Sequence, residues 1–141
     1  MDDDAQIRRL VSERCAAMTR GDAQAIVDQY IPDAVVFSLA PPLRQPKDGT
    51  RDVATLQKWL DEKGGSVGSE VRDLEVTVGG DVAFCTGLER MGAPEGGPGG
   101  LWFRSTLGLR RVEGQWRIAH EHTSTPFYMD GSMRAAVDLL P

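Results

Sequence analysis

Residues 101–126 read Leu101-Trp-Phe-Arg-Ser-Thr-Leu-Gly-Leu-Arg-Arg-Val-Glu-Gly-Gln-Trp-Arg-Ile-Ala-His-Glu-His-Thr-Ser-Thr-Pro126. Two strand-like runs flank Glu113-Gly114, which is a turn signal, so the stretch predicts a β-hairpin. The second run ends in a His-x-His pair. Both histidines of the chain, His120 and His122, lie here with Glu121 between them. The hairpin therefore also holds the densest set of acid/base side chains in the sequence.

Upstream, two further strands are expected. Leu74, Val76 and Val78 alternate in one, and Gly79-Gly80-Asp81 turns into the next. That next strand places Val82, Phe84, Thr86, Leu88 and Arg90 on one face. Gly92 to Gly100 reads as a loop joining it to the quoted hairpin. Four strands thus follow in series, as a meander.

The N-terminal half is helical. Ile7, Leu10, Val11, Cys15 and Met18 recur at helical spacing over residues 5–20, and Asp2–Asp4 supply cap and dipole partners. Gly21-Asp22 stops this helix and caps a second, with Ala23, Ile26, Val27, Tyr30 and Ile31 on one face and Pro32 at its end. Val35 to Leu39 reads as a strand, and Pro41, Pro42, Pro46 and Asp48-Gly49 mark a surface loop. Residues 52–62 predict a third helix with Val53, Leu56, Trp59 and Leu60 inward. Beyond Pro126 comes a C-terminal tail, residues 126–141, in which Ser132 would cap a last short helix through Leu139.

The order is ααβαββββ, and helices segregated from a sheet define an α+β class. The strands are long, and Gly87 and Gly108 let the sheet bend. The expectation is a cone-like curved antiparallel sheet with three N-terminal helices over its concave face, enclosing a hydrophobic pocket of the kind that binds ligands.

The bulk numbers restrict the function. A chain of 141 residues suits one domain spanning 1–141. Net charge is −5, which gives no basic surface for nucleic acid or an anionic membrane. No apolar run approaches transmembrane length. The acidic start Met1-Asp-Asp-Asp is unlike a secretory leader, so a cytoplasmic protein is expected. Cys15 and Cys85 lack metal-ligand spacing and read as reduced, buried thiols. There is no Gly-x-Ser-x-Gly, phosphate loop or dinucleotide fingerprint. No cofactor is expected.

The element order, Arg20-Gly21-Asp22 after the first helix, Asp33-Ala34 before the first strand, and Glu113-Gly-Gln-Trp-Arg-Ile-Ala-His-Glu-His-Thr-Ser124 together resemble the nuclear transport factor 2-like superfamily. Within it the chain resembles the SnoaL-like and ketosteroid-isomerase-like proteins. The Trp-x-x-x-His-x-His-x-Ser segment is also similar to the association domain of the calcium/calmodulin-dependent kinases. The resemblance covers about residues 5 to 128. Such proteins include isomerases, cyclases, dehydratases and assembly modules, so fold alone does not fix function. The ketosteroid isomerases use a tyrosine on helix one, an aspartate base ending the first strand, and a protonated aspartic acid on a late strand. By spacing from Gly21 these roles fall on Arg14, Ser38 and Ser105, none of which has the required chemistry. The resemblance therefore implies the fold and argues against steroid isomerisation by that mechanism.

Side chains alternate across a strand. On the quoted strand Trp116, Ile118, His120, His122 and Ser124 share one face, and Arg117, Ala119, Glu121 and Thr123 the other. Apolar content alone favours burying the tryptophan face, whereas the resemblance turns the Glu121 face to the cavity with Ser105 and Leu107. On the same basis Phe84, Thr86, Leu88 and Arg90 line the wall.

Two constellations result. The pocket set is Arg14, Ser38, Trp59, Phe84, Arg90, Ser105 and Thr123 around Glu121, a candidate general base, with the two arginines holding an anionic or carbonyl ligand. Arg14 lies between Val11 and Met18 on an apolar stripe. It either snorkels to water, points into the cavity, or pairs with Glu121 to hold helix one to the sheet. The outer set is Trp102, Arg104, His120, His122 and Ser124, read as a second polar cluster or a subunit interface. Two histidines at i and i+2 with no third ligand do not make a metal site.

The sequence thus points to a homodimer that binds a small organic molecule, with acid/base chemistry of the isomerase, cyclase or dehydratase kind. The other reading is a non-catalytic assembly or ligand-sensing module.

Overall fold

A computed structural model describes residues 2–95 and 99–141. Helix α1 spans Asp3–Arg20, α2 Ala23–Val27 and α3 Val53–Glu62; a 3₁₀ turn occupies Lys47–Arg51. The strands are β1 (Tyr30–Phe37), β2 (Gly68–Gly79), β3 (Val82–Gly92), β4 (Leu101–Val112) and β5 (Gln115–Ser124). They form one sheet ordered β1-β5-β4-β3-β2. β2 to β5 are antiparallel neighbours, and β1 joins the edge parallel to β5. The α+β class and the order of elements match the expectation, with β1 making the sheet mixed.

Local signals set the helix ends. Asp2 caps α1 by accepting a hydrogen bond from the Ala5 amide. Gly21 ends it in the left-handed region, φ 71°, where a side chain is disfavoured. A Cβ there would also stand 2.2 Å from the Gly65 carbonyl oxygen, so only glycine fits. Asp22 then caps α2 through the Ala25 amide. Gln57 of α3 ties this corner together, donating to the Gly21 carbonyl and accepting from the Ala23 amide.

The core lies between α1, α3 and the concave side of the sheet. Ile7, Leu60 and Ile118 are fully buried, and each contributes about 1.5–3 kcal/mol by leaving water. Asp3 fastens the start of α1 to the β4–β5 hairpin: Arg111 and the Trp116 indole both donate to it.

Two strands do not keep one face throughout. Between β4 and β5 the register slips at Gly108/Leu109, leaving Ala119 without its own partner. This bulge shifts the alternation by one residue. Trp116 and Ile118 point inward before it, and Glu121 is buried on the same side after it. The uniform alternation expected for this strand is therefore corrected. A second slip, between Arg72 and Glu75, lies opposite Gly87. A Cβ on Gly87 would meet Val71 at 2.8 Å.

Three further readings are corrected. Tyr30 and Ile31 belong to β1 rather than to the second helix, and Pro32 is tolerated because β1 is an edge strand. On β3 the inward residues are Ala83, Cys85 and Glu89, whereas Phe84 is 52% exposed. The tail has no helix at 132–139. It forms a bridge between Phe127 and Ala135 instead, and Val137, Leu139 and Leu140 are exposed, so no apolar stripe is buried to hold a helix. Among the described residues no helix is long and apolar enough to cross a membrane.

Candidate functional site

The inward faces of α1, β1, β3, β4 and β5 bring five polar side chains together beneath α1. Arg14 comes from the middle of α1, Tyr30 from the start of β1, Glu89 from β3, Ser105 from β4 and Glu121 from β5. The Arg14 Nη2 donates to Glu121 Oε2 at 2.5 Å. The Tyr30 hydroxyl donates to the other Glu121 oxygen, Oε1, at 3.1 Å. The Arg14 guanidinium also lies 5.2 Å from the centre of the Tyr30 ring. Both Glu121 oxygens are thus held, and its carboxylate is fixed in position.

Arg14 is less fully satisfied. Its Nη1 is buried without a hydrogen-bond partner. Nη1 is therefore a buried donor without a protein acceptor, which costs stability unless a water or a ligand receives it. Burial is the largest influence and works against the Arg14 charge, but Glu121, Tyr30 and Glu89 together outweigh it and raise the pKa, so the cation persists.

Glu89 is the second carboxylate. Burial pushes its pKa up; Arg14 pulls it back, the Glu121 charge adds to the rise, and the Ser105 hydroxyl lowers it. Burial likewise raises the Tyr30 hydroxyl well above its ordinary range. Burial thus shifts Glu89 toward its neutral form relative to an exposed glutamate, whereas Glu121 is held in an ion pair. Two carboxyl groups in one site with different environments form the usual basis for a divided acid and base role.

Arg14, Glu89 and Ser105 line a small internal cavity with Val11, Cys15, Leu74, Cys85 and Leu107. Its volume is about 20 Å³, room for about one water molecule. The Cys85 thiol on its wall is pushed up to about 11 by burial, and burial also raises Cys15. Neither is poised as a thiolate.

Of the residues singled out in the sequence, the structure brings Arg14, Ser105 and Glu121 together. Phe84 and Arg90 lie on the outer face of β3, where the Arg90 guanidinium packs near Gly92 and Gly100 and stands 3.9 Å from Glu70. Trp59 lines a separate groove with Val67, Met91 and Leu101. Ser38 and Thr123 line another at the ends of β1 and β5. Their distance from the cluster follows from strand length: each lies further along its strand than the Val36–Glu121 pair.

On the outer face, His120 and His122 both stand edge-on to Phe37, and His120 Nδ1 lies 2.7 Å from the Val35 carbonyl. Ser124 is opposite Arg104, and His122 opposite Thr106. Trp102 is further along β4, with the Arg72 guanidinium over its ring. No group of three potential metal ligands occurs among the described residues.

Glu89 and Tyr30 were missed. Tyr30 was counted with the second helix. Glu89 is not among the sequence candidates, because the family resemblance turns the opposite face of β3, with Phe84 and Leu88, to the cavity wall. A usable signal existed: once Ser105 and Leu107 are inward, antiparallel pairing with Gly87 and Cys85 forces Glu89 inward too. The Gly92–Gly100 connection did not fix that register in the sequence.

The SnoaL-like domain family model matches residues 7–128. Among solved structures, the chain is 30% identical to an NTF2-like protein of unknown function from Pseudomonas putida KT2440, covering 100% of this chain and 99% of that one with a TM-score of 0.84. It is 21% identical to a provisionally named dehydratase of the NTF2-like family from Streptomyces avermitilis, over 86% and 94% of the chains, with a TM-score of 0.69. It is 18% identical to a provisionally named calcium/calmodulin-dependent protein kinase II association domain from Xanthomonas campestris, over 88% of each, with a TM-score of 0.69. The last two likenesses show the fold alone. No curated protein matches the chain. With the matched segment holding all five cluster residues and every strand of the sheet, the chain belongs to the SnoaL-like domain family.

Proposed function

We propose that the chain binds a small uncharged organic molecule at the Arg14–Tyr30–Glu89–Glu121 cluster and acts on it by acid/base chemistry of the isomerase, cyclase or dehydratase kind. The observation that carries this reading is the buried, unpartnered Nη1 of Arg14 beside a carboxyl group whose pKa is raised. The charge of the cluster selects the ligand. One arginine faces two glutamates, so the sum is zero with Glu89 protonated and −1 with it ionised. An anionic ligand, which a pair of arginines would suit, is disfavoured. A neutral ketone or hydroxyketone fits better.

The roles follow from the contacts. Glu121 takes a proton from the carbon beside the carbonyl. Arg14 Nη1 donates to the oxygen that becomes negative, joined by Glu89 when it carries its proton. Tyr30 keeps Glu121 oriented. A cavity of about 20 Å³ does not hold such a molecule while closed, so binding requires α1 to part from the β2–β3 wall.

That closure favours a second reading, in which the Arg14–Glu121 pair only fastens α1 to the sheet. The chain is then a non-catalytic assembly or ligand-sensing module, a homodimer joined through the outer face.

One experiment separates the two. The protein is incubated in deuterated water with a panel of neutral cyclic ketones and β-hydroxyketones, and exchange at the carbon beside the carbonyl is followed by NMR. Exchange or elimination that falls about 10²-fold or more in Glu121→Gln supports the first reading. Absence of binding and of exchange across the panel, with the Glu121→Gln fold intact, supports the second.

A further inference from the structure

The His-x-His motif and the loop after β1 are not used by the concave cluster, yet they meet at a wide recess at the ends of β1 and β5. Phe37, Leu39, Pro41, Leu43 and Phe127 wall a groove of about 750 Å³, with Ser38, His122, Thr123 and Ser124 on its floor. That volume lies within the range of small-molecule sites, and mostly apolar walls with a few polar groups are their usual lining.

Both walls are held in place without a ligand. On one side the Gln45 amide donates to the Val36 carbonyl at 2.9 Å, and the Gln45 side chain donates to Ser38 Oγ at 2.8 Å and to the Ala40 carbonyl at 3.2 Å. The loop is therefore folded back on β1. On the other side the tail is closed by the Phe127–Ala135 bridge, with Tyr128 N donating to the Arg134 carbonyl and Ala136 N to the Pro126 carbonyl. A groove whose walls are already ordered loses less entropy on binding. The floor is ordered too, since Phe37 stands edge-on to His122 with ring centres 5.5 Å apart.

We propose that this groove is a second small-molecule site, separate from the Arg14–Glu121 cluster, for an uncharged planar aromatic compound bearing a hydroxyl or carbonyl group. The chemistry of the lining makes this choice. It contains no carboxylate, lysine or arginine, so nothing compensates a charged ligand. The Phe37 and His122 rings and the prolines offer flat apolar surface. Ser38, Ser124 and the His122 imidazole offer hydrogen bonds to a single polar substituent. Leu43, 99% exposed at the lip, gains burial only when the groove is filled.

The uncharged dye Nile red, aromatic with one ring carbonyl, is a direct probe. Its fluorescence should rise and shift to the blue with the intact protein, saturating at one dye per chain. Leu43→Asp and His122→Ala, both at exposed positions that leave the fold intact, should each weaken binding about tenfold, which corresponds to about 1.4 kcal/mol. Glu121→Gln and Trp59→Ala should leave it unchanged. The proposal is overturned by unchanged affinity in Leu43→Asp and His122→Ala, by loss of binding in Glu121→Gln or Trp59→Ala, or by no saturable binding. It is also overturned if light scattering shows a dimer that Leu43→Asp converts to monomer, because the groove then receives a second copy of the chain.

Discussion

Removing Glu121 while keeping Arg14 should be among the most damaging single changes in the chain. In Glu121→Leu the Arg14 guanidinium loses its 2.5 Å partner, while its Nη1 is already unpaired. The side chains are 18% and 9% exposed, so water replaces little of what is lost. Breaking a buried pair from one side costs about 3–5 kcal/mol, and the residual exposure of Arg14 places this pair near the lower end. A loss of about 3 kcal/mol would lower the urea midpoint by roughly 1–3 M at ordinary slopes of about 1–3 kcal/mol/M. Arg14→Met should cost less, because Glu121 keeps its hydrogen bond from the Tyr30 hydroxyl. The double change, Arg14→Met with Glu121→Leu, fills the space with apolar atoms and should return to within about 1 kcal/mol of the parent. The four proteins make a double-mutant cycle read by urea unfolding, with equal slopes as the check that the transition is two-state. A Glu121→Leu cost below about 1 kcal/mol, the range of exposed pairs, would refute the reasoning. So would two single costs that simply add.

Glu89→Gln should change stability in a pH-dependent way. Burial raises the Glu89 pKa in the folded chain above its ordinary 4.5, so folded protein binds the proton more tightly than unfolded protein does. The stabilisation from protonated Glu89 is complete below the unfolded value and is lost as pH rises through the folded one. Melting curves should therefore show Glu89→Gln gaining on the parent between pH 4 and pH 8, and a constant gap would exclude the raised pKa. Gly21→Ala should be disfavoured by both backbone and space. A left-handed alanine costs about 1–2 kcal/mol, and the Gly65 carbonyl must also move. The melting temperature should fall by about 5 °C or more, and a drop within the error of the measurement would mean that the α1–α2 corner yields freely.

The element order was legible because its signals are local. Asp2, Gly21-Asp22 and Glu113-Gly114 each act within a few residues, and the stripe from Ile7 to Met18 needs no knowledge of what it faces. The tail failed for the opposite reason: Ser132 and the apolar residues after it mimic a capped helix, but the chain offers them no surface to bury against. The site was partly legible. Arg14 stood out as a charge on an apolar stripe, and Glu121 as the carboxylate between the histidines. Glu89 was hidden, because its inward direction depends on pairing across a nine-residue glycine-rich connection, Gly92 to Gly100, and because the family resemblance turns the opposite face of β3, with Phe84 and Leu88, to the cavity.

The conflict over β5 has a physical resolution that bears on function. Apolar content turned Trp116 and Ile118 inward, while family resemblance turned Glu121 inward, and regular alternation forbids both. The bulge at Ala119 permits both: the first half of β5 builds the core and the second half presents a carboxylate to it. Gly108 stands opposite His120, where a Cβ would approach the His120 Cβ to 3.2 Å, so this glycine leaves space where the strand bends. The slip opposite Gly87 acts in the same way on β2, keeping Val71 inward before it and Leu74, Val76 and Val78 inward after it. Together the two slips surround the cluster, one beside Glu121 and one beside Glu89. A sheet with strict alternation would have to choose between an apolar core and a charged site on these strands. Two inserted residues, each matched by a glycine on the neighbouring strand, remove that choice and set a buried acid/base cluster directly beside the core.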